Sequence, residues 1–272
     1  MLKPISISEK LMYNTVRIET NSGCGTGSFF NFQFDEKIVP VIITNKHVIN
    51  FNPKEEVRFA LHLCDEEGNP DTNIDLNYKT DWIFHPEKDL CFCFVNSIFD
   101  QVYSKFRKKV FYIPNTEDLI VDNPKKDSLS ALEELVMVGY PIGLFDKTNN
   151  FPIFRKGYTA AHPNIDFNDD GIGLIDMSCL PGSSGSPIYI LNEGSFRDRY
   201  GNISVGQSRI MLLGYLFSGP VYNATGELVV QNIPTSVPKV VTSTQVMANL
   251  GYYIKSEELF KFKEIIKNKL NA

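Results

Sequence analysis

Short apolar segments rich in β-branched and aromatic residues recur along the whole chain: "TVRIET", "GSFFNF", "VPVIIT", "VRFALHL", "LCFCFV", "LVMVGY", "GIGLIDMS", "SPIYIL" and "RIMLLGYLF". Gly, Pro, Asn and Asp punctuate them, which marks an all-β protein. Helix is scarce. The clearest candidate is the C-terminal "SEELFKFKEIIKNKL", where Ser256 can cap and Leu259, Phe260, Phe262, Ile265, Ile266 and Leu270 recur at near-helical spacing.

The polar stretch between "KVFYIP" and "LVMVGYP" carries no sustained strand pattern and is where the chain divides. About six strands then fall on each side, enough for two closed six-stranded antiparallel β-barrels, which leave no exposed sheet edge. The expected organisation is an N-terminal barrel over 1–113, a linker over 114–134, a C-terminal barrel over 135–254 and a terminal helix over 255–272. At 272 residues the chain is long enough for two modest cores.

Composition narrows the function. No apolar run approaches the roughly 20 residues of a membrane helix, and the N-terminus lacks a continuous apolar region with a small-residue cleavage site. A cytoplasmic protein without a membrane partner is expected. Five cysteines (Cys24, Cys64, Cys91, Cys93 and Cys179) show no framework spacing, which fits reduced thiols. Cys91 and Cys93 alternate in "DLCFCFV", share one strand face, and read as core packing, so no metal site is expected. A net charge of −5 argues against nucleic acid as a partner, and the basic run "KFRKK" at 105–109 reads as a solvated face.

Chemistry concentrates in "CLPGSSGSPIYI", residues 179–190, where glycines and serines crowd against a strand. All four histidines, His47, His62, His85 and His162, precede Ser184. An α/β-hydrolase needs its histidine after the serine and an elbow G-x-S-x-G, but the last glycine of that elbow is Ser186 here. The subtilisin order belongs to an α/β fold, which these strands do not suggest. The order His, Asp, Ser remains: His47 follows a buried-type strand in "VIITNKHVIN", and Asp89 precedes one in "HPEKDLCFCFV". Strand ends are where a rigid scaffold aims a side chain. His62, His85 and His162 sit in no motif and read as structural, with lining of a substrate cleft as the alternative for His162, which follows the strand after "GYPIGL".

With these residues in place, the chain resembles a chymotrypsin-fold serine protease, closest to the bacterial trypsin-like branch of HtrA and V8-type peptidases without a PDZ domain. "TVRIETNSGCGTGSFF" resembles the family's opening strand pair, "TNKHVI" its T-x-x-H-V box, and "DLCFC" its aspartate strand; "MVGYPIGL" resembles the glycine-proline strand of the second barrel and "PGSSGSP" the nucleophile motif. The resemblance implies a serine endopeptidase in which Ser184 attacks the scissile carbonyl, His47 moves its proton and Asp89 orients the imidazole. Gly182 and Ser184 would supply the oxyanion-hole N–H groups. Gly185 and Ser186 keep the far side open, and Pro187 starts a strand without a donor.

The resemblance also frames the departures. Ser183 stands where animal relatives carry the aspartate that a freed N-terminus neutralises, so no such zymogen step is expected. The S1 floor falls on Ser178 and the wall on Leu216, Phe217, Ser218 and Gly219, an uncharged lining that suggests small or hydrophobic P1 residues. The segment after "ANLGYYIK" is too short for a PDZ domain. A protein or peptide substrate and control by a regulatory protein partner are expected, with no cofactor. The competing readings are a catalytically silent pseudoprotease used as a binding scaffold, and acyl-transfer or esterase chemistry on the same triad.

Overall fold

The computed structural model describes residues 1–227 and 241–270. The stretches 228–240 and 271–272, which belong to the expected C-terminal barrel and terminal helix, lie outside the described residues.

The first half is built from α1 (Ile7–Met12), β1 (Thr15–Thr20), β2 (Gly23–Phe34), β3 (Lys37–Thr44), β4 (Glu56–Cys64), β5 (Pro70–Lys79), β6 (Ile83–Phe84), β7 (Cys91–Phe94), α2 (Asn96–Phe106), β8 (Val110–Phe111) and β9 (Asn115–Thr116). Helix α1 opens on a capping box in which Ser6 and Glu9 satisfy each other's backbone N–H groups. The strands form one nine-stranded sheet in the order β5-β4-β1-β2-β3-β7-β6, with β8 on β4 and β9 on β2. The expectation of a closed ladder here meets a difference of detail. Strand β6 has only two residues and pairs with β7 alone, so among the described residues no hydrogen bonds join it to β5. Packing still joins the two ends: Leu76 of β5 and Trp82 beside β6 share a core with Val16, Ile18, Ile42 and Phe59.

The second half contains α3 (Asn123–Lys126), β10 (Glu134–Gly139), β11 (Ile153–Thr159), β12 (Ile172–Asp176), β13 (Pro187–Asn192), β14 (Ser195–Arg197), β15 (Ile203–Val205), β16 (Arg209–Ser218), β17 (Val221–Glu227), β18 (Val241–Met247), β19 (Leu250–Lys255) and α4 (Leu259–Leu270). Strands β10-β11-β12-β19-β16-β13 close into a six-stranded barrel. Hairpins β14-β15 and β17-β18 stand apart from it. The barrel's own core holds Leu135, Met137, Ile175, Ile188, Leu213 and Tyr253.

A third cluster joins the halves. Phe30, Phe32, Val41, Ile43 and Phe92 from the first sheet meet Val136, Val138, Tyr189, Leu212 and Tyr215 from the barrel, and Leu259, Phe262 and Ile266 of α4 seal it. Strand β7 explains "LCFCFV": Phe92 and Phe94 face this junction while Cys91 and Cys93 face the first core. All five thiols are free.

The helices differ from the sequence reading both in the start of α4 and in the additional helices α1, α2 and α3. Residues 256–258 form a 3-10 turn ahead of α4, and Ser256 does not cap it; its hydroxyl accepts the Val121 N–H instead, at 3.2 Å. Phe260 and Leu270 face solvent. Helix α2 was not anticipated. It buries Ile98 and Val102, and the basic run follows from its last turn, where cations complement the helix dipole.

Candidate active site

Thr44 ends β3, and the chain turns at once into a 3-10 turn over His47–Ile49 that Asn50 closes in the left-handed region. Gly25 of β2 permits this turn to dock, because a Cβ there would stand 2.6 Å from the Val48 methyls. Asp89 lies just before the buried Leu90 and two residues before β7, the neighbour of β3. Both halves of its carboxylate engage the histidine: Oδ2 is 2.6 Å from His47 Nδ1, and Oδ1 accepts the His47 backbone N–H at 3.1 Å. Asn45 fixes the aspartate from the other side by donating to its carbonyl at 2.7 Å. With Nδ1 committed as a donor to a carboxylate, the neutral ring presents Nε2 as a base.

Ser184 sits in the loop between β12 and β13. Gly182 and Gly185 on either side of it have φ of +86° and +82°, where a side chain would be strained. Space forbids one as well: a Cβ on Gly185 would lie 2.0 Å from the Thr26 carbonyl, and one on Gly182 2.6 Å from the Tyr140 carbonyl. Thr26 of β2 ties this loop to the first half. Its N–H donates to the Ser184 carbonyl at 2.9 Å, its hydroxyl donates to the Gly182 carbonyl at 3.1 Å, and the same hydroxyl accepts the Tyr140 N–H at 3.1 Å. Thr44, three residues before His47, donates its hydroxyl to the Thr26 carbonyl at 2.7 Å. The serine loop and the histidine turn are thus anchored to the same residue. Among the described contacts, the side-chain hydrogen bond of His47 goes to Asp89, and none joins it to Ser184.

The loop's backbone donors separate into two groups. Ser183, Gly185 and Ser186 give their N–H groups to the carbonyls of Leu180, Leu216 and Ser183. Among the described residues, the N–H groups of Gly182 and Ser184 donate to nothing in the protein. The Pro181 carbonyl accepts the N–H of Ile142, and in a trans peptide this turns the Gly182 N–H to the opposite side. Ile142 provides that bond from φ +47°, a left-handed conformation that a β-branched residue rarely adopts. Ser183 is buried, and its hydroxyl has no partner among the described residues.

The residues expected to form S1 do not share one environment. Strand β16 abuts the serine loop, since Leu216 accepts from Gly185 N at 2.8 Å and donates to Ser186 O at 3.0 Å. The Leu216 side chain belongs to the barrel core, and Phe217 packs at the junction near Tyr252. Ser178 and Ser218 are exposed. A Cβ placed on Gly219 would lie 3.7 Å from Cys179 Cβ and 2.8 Å from the Leu250 carbonyl. A residue not foreseen from sequence reaches the segment before the serine loop: Arg155 of β11 donates through its guanidinium to the Ser178 carbonyl.

The other histidines lie elsewhere. His62 is buried among Tyr13 and Phe151, with Nε2 2.9 Å from the Asn149 carbonyl, and burial pulls its pKa down to about 4. His85 is buried and accepts the N–H groups of Glu87 and Lys88; burial, reinforced by Lys261 and Lys46, pulls it down to about 4. His162 accepts the Asn164 N–H. No group of three or more potential metal ligands occurs among the described residues, and no described helix is long and apolar enough to cross a membrane.

No protein-family model matches the chain, and no curated protein does. Solved structures are similar at low identity. A human heparin binding protein is 9% identical with a TM-score of 0.48, covering 97% of this chain and 93% of its own. A thermostable serine protease, AL20, from an extremophilic microorganism is 14% identical with a TM-score of 0.45, covering 94% and 98%. A serine protease of a human pathogenic astrovirus is 13% identical with a TM-score of 0.42, covering 89% of each chain.

Proposed function

We propose that the chain is a serine endopeptidase acting through His47, Asp89 and Ser184. The observation that carries this reading is the pair of uncommitted N–H groups at Gly182 and Ser184 in a loop whose other donors are bonded, tied through Thr26 and Thr44 to the His47–Asp89 pair. A purely structural loop has no use for two unbonded donors at the proposed nucleophile and two residues before it.

In the reaction, His47 Nε2 takes the Ser184 hydroxyl proton as Oγ bonds to the scissile carbonyl carbon. The carbonyl oxygen becomes an oxyanion held by the Gly182 and Ser184 N–H groups, a contribution of about 3 kcal/mol per donor in comparable sites. The C–N bond then breaks, His47 returns the proton to the leaving amine, and an acyl ester remains on Ser184. Water, deprotonated by the same imidazole, releases the acid and restores the serine. Asp89 stays ionised and stabilises the imidazolium. The reading extends to a cytoplasmic enzyme, which five free thiols support, governed by a protein partner that restrains an otherwise hazardous endopeptidase. The second reading is a binding scaffold without turnover.

An alkyl fluorophosphonate with no peptide portion decides between them. Covalent labelling of the wild type that disappears in Ser184→Ala, together with cleavage of a peptide library lost in the same variant, supports the peptidase. Absence of both in the wild type favours the scaffold.

A further inference from the structure

Asp89 stands near the end of a loop, His85 to Leu90, that leads from β6 into β7. The base of the loop is closed by the His85 N–H, which donates to the Leu90 carbonyl at 2.9 Å, and its end is tightened by the Leu90 N–H, which donates to the Lys88 carbonyl at 2.8 Å. The His85 ring does the rest. Its Nδ1 accepts two backbone N–H groups of the same loop, from Lys88 at 2.9 Å and from Glu87 at 3.2 Å. Pro86 has no N–H to compete for that acceptor, and its φ is fixed. Asp89 is therefore pinned on both sides, by His85 through the Lys88 N–H before it and by Asn45, which donates to its carbonyl at 2.7 Å. From that position its carboxylate meets the His47 ring at 2.6 Å.

The opposite edge of the His85 ring faces the C-terminal helix. A ring nitrogen that accepts N–H groups carries no proton, so in the neutral ring Nε2 carries it. Nε2 stands 3.1 Å from Glu258 Oε2, in the turn ahead of α4, and Phe262 of α4 packs edge-on against the ring with centroids 5.4 Å apart. Lys261 of α4 adds an outer tie to Glu87 at 2.6 Å, an exposed pair that contributes little. The ring itself is fully buried. A histidine kept only to fill space could give way to an apolar residue of its size. Here that exchange would strand the Glu87 and Lys88 N–H groups and free the loop that carries Asp89.

We infer that His85 is a positioning residue for Asp89: its Nδ1 sets the loop that presents the carboxylate to His47, and the head of α4 holds the ring in the tautomer that leaves Nδ1 free to accept. The effect on rate rests on the peptidase reading, whereas the placement of Asp89 can be observed without turnover. His85 touches neither the substrate nor the reacting atoms.

The test compares His85→Asn with His85→Gln in the full chain. The Asn side-chain oxygen takes the place of Nδ1 and can accept both loop N–H groups, as in an Asx turn, whereas the Gln amide extends towards Glu258 and leaves the Nδ1 position empty. Proton NMR reads the far-downfield signal of the His47 Nδ1–H on the Asp89 carboxylate, and peptide hydrolysis gives kcat and KM, each on protein shown to be folded by urea unfolding. The signal should be present in the wild type and in His85→Asn and lost in His85→Gln. In the latter kcat should fall about 10- to 100-fold at unchanged KM, the upper figure being the cost of a displacement of about 1 Å. A purely structural histidine would lower stability in both variants and move neither readout. If the wild type lacks the signal, or His85→Gln keeps both signal and kcat, the positioning role is overturned and a wild type that an alkyl fluorophosphonate labels leaves the peptidase reading standing. If His85→Gln does not fold, His85→Asn decides: signal and kcat retained support the role, and their loss or a failure to fold overturns it. A wild type that shows the signal but does not label removes the peptidase reading and the effect on rate with it.

Discussion

Replacing Thr26 by valine keeps the side-chain shape and removes one hydroxyl, yet that hydroxyl serves two buried backbone groups from the other half of the chain. The Gly182 carbonyl loses its donor, and the Tyr140 N–H loses its acceptor. A buried polar group stripped of its partner costs about 1–3 kcal/mol. The added methyl recovers up to about 1 kcal/mol, so the net loss should be about 1–5 kcal/mol. Thr26→Ser keeps both bonds and loses one methyl, which should cost about 1 kcal/mol. Urea unfolding of the three proteins gives the comparison directly, provided the slope m is unchanged. Because the same hydroxyl fixes the Gly182 peptide, the valine variant should also react more slowly with fluorophosphonate in the absence of urea. The loss should reach at most the roughly 10²–10³-fold seen when an oxyanion donor is removed outright. Valine and serine variants of equal stability would refute the assignment of Thr26 as the anchor of the serine loop.

Further outcomes follow from single contacts. Asp89→Asn should leave the fold intact and lower kcat by about 10⁴-fold, because an amide that donates to Nδ1 selects the wrong tautomer; steady-state peptide hydrolysis measures it. Ile142→Gly should raise stability by about 1 kcal/mol in urea unfolding, since glycine accepts φ +47° without the steric cost borne by isoleucine. Ser183→Ala should leave stability unchanged or raise it by up to about 1 kcal/mol, because its buried hydroxyl has no partner to lose. His62 binds its proton only below about pH 4 when folded but near 6.5 when unfolded, so the unfolded chain holds more protons between those values and stability falls as pH drops through them. The limit is about 3 kcal/mol, at 1.36 kcal/mol per pH unit; His62→Gln should flatten that part of the stability–pH curve measured by urea unfolding.

What could be read from the sequence was whatever a local pattern carries. Strand ends at Thr44 and Leu90 were visible as apolar runs, so His47 and Asp89 could be placed at their edges, and the structure brings those two side chains together. The glycines around Ser184 marked a turn ahead of a strand, and the structure gives Gly182 and Gly185 left-handed φ values that the pattern alone did not specify. The capping box of α1 was present in "SISEK", where serine precedes glutamate by three, but a six-residue helix leaves too short an apolar pattern to notice. Helix α2 needs Phe29 of β2 beside Phe99, a contact between residues seventy apart, and "NSIFDQVYSKF" alone competes poorly with the strand before it.

Thr26 and Arg155 show where a local pattern stops carrying information. The alternation in "IFRKGYT" places Arg155 and Gly157 on one face of β11, but it does not say which face turns inward. That is decided when β11 is held between β10 and β12, and closure of the barrel requires residues from Glu134 to Lys255 to be in place. Only then does a cation 23 positions before Ser178 become its neighbour. Thr26 is reached by an even longer route, 156 residues from Gly182, across the junction between the two halves. Local sequence therefore places the residues of the proposed chemistry, because His47 and Asp89 lie beside strand ends and Ser184 lies in the glycine turn ahead of β13. The groups that tie the serine loop in place follow from tertiary closure, because Thr26 and Arg155 reach it only once the two halves and the barrel have formed.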